Sequence, residues 1–295
     1  MLGKLVRFIR SGDSSLTRQH PLLARVVATI GTDIGEAQDF AKRLLPAIEA
    51  AVNYFDRQIA SIPEPLPLSA KLYATGAGVS TFFPEVEEVG RTLGRSLAVK
   101  ETLPELIQNG HDEVYALLGM RSRPLEGAVE KTPVFADHTL HSLGTSLADS
   151  QETLRQAAFD RLLRNFAEHA EKLRRKERLL KLEWEQNQHH DLAKTGETAG
   201  QGEFVYASQE LAPDNLLGAL IRWLGKPESF FRLEKSSIAM PGAHPVGASS
   251  RKPLELPLLH CSDRRQWLVC FVRLSAAEGA EALQRETHNH RYIFI

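Results

Sequence analysis

The residues best suited to chemistry cluster near the C-terminal end of the sequence. His260, Cys261, Cys270, His288 and His290 carry the nitrogen and sulfur atoms that zinc prefers. Their spacing, however, matches neither a C-x-x-C pair nor two histidines on one helical turn. Cys270 lies inside the apolar run "QWLVCFVRL", where a cysteine serves as packing. His260, Cys261 and His288 also form the set from which a nucleophilic site would be assembled, a thiol activated by an imidazole. No third group that would orient the base is identifiable, and no G-x-S-x-G is present to anchor a serine triad. The letters H-N-H at 288–290 do not make a nuclease, whose residues are dispersed along a ββα hairpin.

Two further candidates are weaker. His138 and His141 would share one face of a helix, but Asp137 would not join them, so a metal lacks its third ligand. Gly76 and Gly78 resemble a phosphate loop without the G-K-[ST] that completes one. The sequence therefore leads us to expect no cofactor and no metal.

Composition sets the frame. The chain has 295 residues, 42% apolar and 25% charged, the balance of a globular protein. With 36 basic and 37 acidic residues the net charge is −1, so nothing global attracts nucleic acid or anionic lipid. No apolar run approaches the roughly 20 residues of a membrane span. Two cysteines exclude a disulfide framework. The start, "MLGKLVRFIRSG", is interrupted by Lys4, Arg7 and Arg10 and offers no signal-peptide core, which places the protein in the cytoplasm. Wound as a helix, those residues oppose Leu2, Leu5, Val6 and Ile9, the pattern of a weak interfacial anchor. A peripheral membrane protein held by Met1 to Arg10 is thus one alternative.

These candidates must be positioned by the elements before them. "HPLLARVVATIG" reads as a helix opened by Pro21 and closed by Gly31. Ile34, Ala37, Ala41, Leu44, Ile48, Ala51 and Phe55 then trace one stripe, starting at Thr32 or Asp33 and kinked or divided at Pro46. Alternating Pro63, Pro65 and Pro67 impose an extended strap. More helix is expected through "TLPELIQNGHDEVYALLGM", a loop over 121–136, and a lead from "DHTLHSLGTSLADSQETL" into a long helix.

That helix carries the most information. Phe159, Phe166, Leu173 and Leu180 recur at seven. Leu163, Ala170, Glu177 and Trp184 follow each by four, so the two series are the seam positions of a heptad. No glycine or proline interrupts 150–190, and about 40 helical residues reach some 60 Å, longer than a compact domain is wide. The segment "KLRRKERLLK" is basic, but Glu168 and Glu171 neutralise it at favourable four-residue spacing and aromatic platforms are missing. Helix–helix association, within the chain or between copies, therefore ranks above a buried spine of a helical domain with no oligomer, and that above nucleic-acid binding, with Phe159, Leu163, Phe166, Ala170, Leu173, Leu180 and Trp184 as the interaction residues.

Beyond the polar stretch "KTGETAGQG" the texture changes. "PDNLLGALIRWLG" is a capped helix and "ESFFRLEKSSIAM" a strand. "LELPLLHC" and "QWLVCFVRL" form a hairpin whose second arm is a central strand covered on both faces. "AAEGAEALQRETH" is a helix and "RYIFI" a last strand. The fold class expected is α+β, predominantly α-helical. A helical region occupies 1–149, a long heptad-patterned helix (a possible coiled coil) 150–192, a linker 193–213, and a small α+β domain with a three- or four-stranded antiparallel sheet 214–295. The function expected is a non-enzymatic adaptor or scaffold that associates through the long helix with itself or another protein.

Overall fold

The computed structural model describes residues 20–73, 79–124, 133–190, 201–238, 254–261 and 265–286. The basic start of the chain, Gly76 and Gly78, His288, His290 and the "RYIFI" segment lie outside them. The protein is α+β and predominantly α-helical. By internal contacts the chain forms two units, one from residues 1–53 and 159–227 and one from 54–158 and 228–295.

The first unit is helical. Helix α1 (Pro21–Ile30) begins on its proline and ends at Gly31, whose φ of 130° a side chain would resist. Arg174 closes that end: its guanidinium donates to the Ile30 carbonyl at 3.3 Å and pairs with Asp33 at 2.9 Å. The next helix was expected from Thr32 or Asp33. Instead Asp33–Glu36 forms a 3₁₀ turn, and α2 (Phe40–Ile59) starts after Asp39, which has a φ of 51°. Pro46 sits inside α2 without dividing it, because a proline there removes a single backbone donor while Ala41, Leu44, Ile48, Ala51 and Phe55 are all buried. Helix α6 (Leu147–His190) enters this unit at Phe159, and α7 (Gln201–Glu210) and α8 (Pro213–Leu224) complete it. Thus α7 falls where a linker was expected, and α8 joins the helical unit rather than the sheet.

Among the described residues, the second unit is built on a sheet of six strands in the order β3-β2-β6-β5-β4, with β1 paired parallel to β6. The strands are β1 (Leu66–Leu68), β2 (Glu113–Pro124), β3 (Pro133–Gly144), β4 (Phe231–Ile238), β5 (Leu254–Cys261) and β6 (Gln266–Ser275). The β5–β6 hairpin and the central place of β6 match the sequence reading. The extent of the sheet does not: β1 falls in and just after the strap read as extended, and β2 and β3 come from segments expected to be helix or loop. Segment 113–120 misleads because β2 is covered on both faces. Ala116 to Leu118 are all buried, so the strand shows no alternation and resembles a helical run.

Strand β3 hides its alternation differently. Its pairing with β2 slips between Tyr115 and Leu117 and again between Gly119 and Arg121. At these slips Ser142 and Asp137 take positive φ, 54° and 56°. Each is an extra residue in a bulge. The bulges let Phe135, Leu140 and Leu143 share one buried face despite their odd spacing.

That face packs on the short helix α3 (Val79–Phe82) and on α4 (Val86–Arg95), α5 (Leu97–Gln108) and α9 (Ala276–Arg285). Its centre is Leu118, Met120, Leu268, Cys270, Val272 and Leu274. The end of α2 packs at β4: Phe55 meets Phe231 edge-on at 5.7 Å, and the Gln58 amide oxygen accepts from the Leu233 amide at 2.8 Å. Helix α6 (Leu147–His190) then leaves β3 through a network. Asp149 accepts from the Thr145 amide at 2.8 Å, and Ser150 donates to the Ser142 carbonyl at 2.6 Å.

Helices α4 and α9 approach so closely that a methyl group at Gly94 would lie 2.5 Å from the Ala282 carbonyl oxygen. Gly94→Ala is therefore expected to destabilise the protein by about 1–3 kcal/mol in urea unfolding. Gly90→Ala, on the same helix with nothing within 4 Å of the added carbon, is expected to be neutral or slightly stabilising.

Candidate functional site

Helix α6 is a single element of 44 residues, about 66 Å at 1.5 Å per residue. Its first half is spent inside the chain. Phe159, Leu163, Phe166 and Ala170 are fully buried, facing the first unit's own core. Trp223 of α8 stands edge-on to Phe166 at 5.7 Å, stacks on His169, and donates its indole N–H to the Leu162 carbonyl at 3.3 Å. These four interaction candidates are covered without a second molecule.

The second half of the seam turns to α7. Leu173, Leu180 and Trp184 are half-buried, and Trp184 stacks on Phe204 with ring centres 5.8 Å apart. Glu177, the acidic residue in an apolar series, accepts a hydrogen bond from the Ser208 hydroxyl at 3.2 Å. The seam thus closes a helical hairpin of α6 and α7. Successive helix residues rotate by about 100°, so Leu179 and Leu182 point away from the seam. They are 61% and 54% exposed, and on α7 Tyr206 and Val205 are 63% and 43% exposed. Among the described residues the only other large apolar side chain so open is Ile107. Sequence reading missed these four because none of them belongs to the heptad. The signal available was two leucines three apart on the charged side.

Charge is uneven along the hairpin: α6 is mostly basic from Lys172 to Lys181 and then carries exposed Glu183 and Glu185. Along α6 lie Lys172, Arg174, Arg175, Lys176, Arg178 and Lys181, with Glu171 bonded to Arg178 at 3.0 Å and drawn below the usual carboxylate range by it and by Arg175. Lys172, Lys176 and Lys181 are exposed. Helix α7 carries Glu203 and Glu210 and no lysine or arginine.

The residues expected to do chemistry are scattered. His260 and Cys261 are neighbours on β5, so their side chains leave opposite faces of the sheet. His260 Nε2 lies 3.0 Å from the Glu234 carboxylate, and Nδ1 lies 3.4 Å from the Gln266 amide nitrogen. Cys261 is buried on the far side, and burial pushes the Cys270 thiol up to about 12, far from a nucleophile. His288 lies outside the described residues, so the geometry does not assemble His260 with Cys261.

His138 and His141 lie on β3, not on a helix, and also face apart. His138 is buried, stacks on Phe83 at 4.2 Å, and donates from Nε2 to the Phe82 carbonyl at 2.8 Å. Glu88 lies 3.8 Å from its other nitrogen, beside Arg91 and Arg95. Its role is to tie β3 to the turn before α4. His141 is bonded to the Ser142 hydroxyl at 2.5 Å, and its pKa is lowered to about 4 by burial. Among the described residues, no three histidine, cysteine or carboxylate groups come together to hold a metal ion. No described helix is long and apolar enough to cross a membrane.

Comparison with known protein families, with curated proteins and with solved structures finds no match for this chain.

The half-buried His141 makes stability depend on pH. Its folded pKa, about 4, lies below the unfolded 6.5, so between these values the unfolded chain binds the extra proton. The contribution is complete above pH 6.5 and is lost as pH falls toward 4. Urea unfolding of the His141→Asn variant should therefore show a smaller loss of stability between pH 7.5 and pH 5 than the wild type shows.

Proposed function

We propose that this protein is a non-enzymatic interaction protein, an adaptor or scaffold, which associates with a second copy of itself through the α6–α7 hairpin. One observation carries the reading: four of the five exposed large apolar side chains among the described residues lie on that hairpin. Burying a leucine is worth about 1.5–3 kcal/mol, so the outer side of α6 at Leu179 and Leu182, and that of α7 at Val205 and Tyr206, are costly surfaces for an isolated chain to expose.

The second copy is favoured by charge. Lysines on α6 and glutamates on α7 make the hairpin complementary to its own surface when two copies pack antiparallel, basic helix against acidic helix. The arrangement extends the heptad idea to a different edge: the seam closes each hairpin, and the opposite side joins two hairpins. A cytoplasmic setting is part of the proposal, supported by Cys261 and Cys270 being thiols rather than a disulfide.

Sedimentation equilibrium of the full chain is expected to give a dimer with a dissociation constant on the order of 10 µM. Leu179→Glu with Leu182→Glu should give a monomer whose thermal unfolding matches that of the wild type diluted below the dissociation constant, because both side chains are exposed in the single chain. A wild-type monomer throughout the micromolar range, or a double variant that dimerises as well as wild type, contradicts the proposal.

A further inference from the structure

Given the self-association proposed above, the outer side of α6 is complementary to itself. Leu179 and Leu182 lie on the side of the helix turned away from α7. At a rotation of about 100° per residue, Arg175 and Gln186 fall in the same sector, one turn to either side of the two leucines. All four side chains are exposed. The same rotation puts Lys176 and Glu183 together on one flank of this stripe, and Arg178 and Glu185 on the other. Each flank is thus basic toward the start of α6 and acidic toward its end. Among the described residues, Lys176, Glu183 and Glu185 enter no ion pair. Arg178 pairs with Glu171 at 3.0 Å while 60% exposed, a contact of little strength.

A two-fold axis passing between Leu180 and Lys181 lays a second α6 antiparallel on the first. It sets Leu179 opposite the second copy's Leu182, and Arg175 opposite the second copy's Gln186. Such an axis keeps each flank on its own side of the pair. Lys176 therefore faces the second copy's Glu183, and Arg178 faces the second copy's Glu185. Both pairings are offset by two residues, about 3 Å along the axis, which these long side chains span. Each pairing occurs twice, so one register brings four leucines and four pairs of opposite charge together. A parallel pair would instead set Lys176 beside Lys176 and Glu183 beside Glu183, which like charge opposes. The start of α7 lies at the acidic end of the stripe, because Phe204 stacks on Trp184. Glu203 thereby adds to the negative end that receives the basic stretch of the other copy.

We infer that the second copy docks α6 on α6, antiparallel and centred between Leu179 and Leu182, with the flanking charges fixing the register. The leucines supply the apolar contact, and the alternation of basic and acidic ends selects orientation and partner.

Charge reversal in the full chain, followed by sedimentation equilibrium, tests the contact. Lys176→Glu with Arg178→Glu makes both ends of the stripe acidic. Glu183→Lys with Glu185→Lys makes both ends basic. Each double variant alone is expected to dimerise about tenfold more weakly than the wild type, because every flanking pair becomes a repulsion. An equimolar mixture of the two restores opposite charge at every pair and should dimerise within about threefold of the wild type. The four changed side chains are exposed, and a circular dichroism spectrum matching the wild type shows that the helix is retained. Undiminished dimerisation of Glu183→Lys with Glu185→Lys overturns this contact and leaves self-association standing, since a more basic α6 docks at least as well on acidic α7. A mixture no tighter than either variant overturns it too. A wild-type chain that stays monomeric removes self-association, and this contact with it.

Discussion

The architecture depends on how a helix of 44 residues disposes of its apolar surface. An amphipathic helix survives in water because something covers its greasy side, and intrinsic propensity contributes little at this length. In this chain the cover changes along the helix. From Phe159 to Ala170 it is the core of the helical unit, with Trp223 wedged beside Phe166 and His169. From Leu173 to Trp184 it is α7, through the Trp184–Phe204 stack and the Glu177–Ser208 bond. Leu179 and Leu182 are left out of both arrangements. A heptad seam and a helix of 3.6 residues per turn allow one covered edge, and these leucines lie outside it.

The ion pairs of the helical unit are secondary to this. Arg25 with Asp160 at 3.1 Å and Arg43 with Asp214 lie near the surface, where such pairs contribute at most about 1 kcal/mol. Arg174 is different, because it joins Asp33 and the last carbonyl of α1 at once. It fixes where α1 stops against α6, while the apolar residues decide that they meet. In the sheet unit the corresponding division is between β6, buried on both faces, and the polar strand ends beyond Leu268. There burial stops and hydrogen-bonded side chains take over.

How much could be read beforehand follows from which signals are local. Pro21 and Gly31 bracket α1 because capping chemistry acts within one turn. The β5–β6 hairpin and the uninterrupted α6 were legible for the same reason: each is a long pattern with clear ends. Strands β2 and β3 were not. Burial on both faces erased the alternation of β2, and the bulges at Asp137 and Ser142 shifted the phase of β3 twice. The misplaced helix over His138 and His141 came from that shift. The candidate surfaces were less legible still. The exposed leucines sit where a heptad reading assigns only solvated residues.

In the proposed dimer a second copy covers the hairpin, the basic stretch of α6 against acidic α7. Carbodiimide cross-linking of an equimolar mixture of unlabelled and uniformly ¹⁵N-labelled chains tests it most directly. Lysine–glutamate links between Lys172, Lys176 or Lys181 and Glu203 or Glu210 should include pairs joining a light peptide to a heavy one. If every such link joins peptides of the same isotope, the hairpin meets only its own chain and the account is wrong.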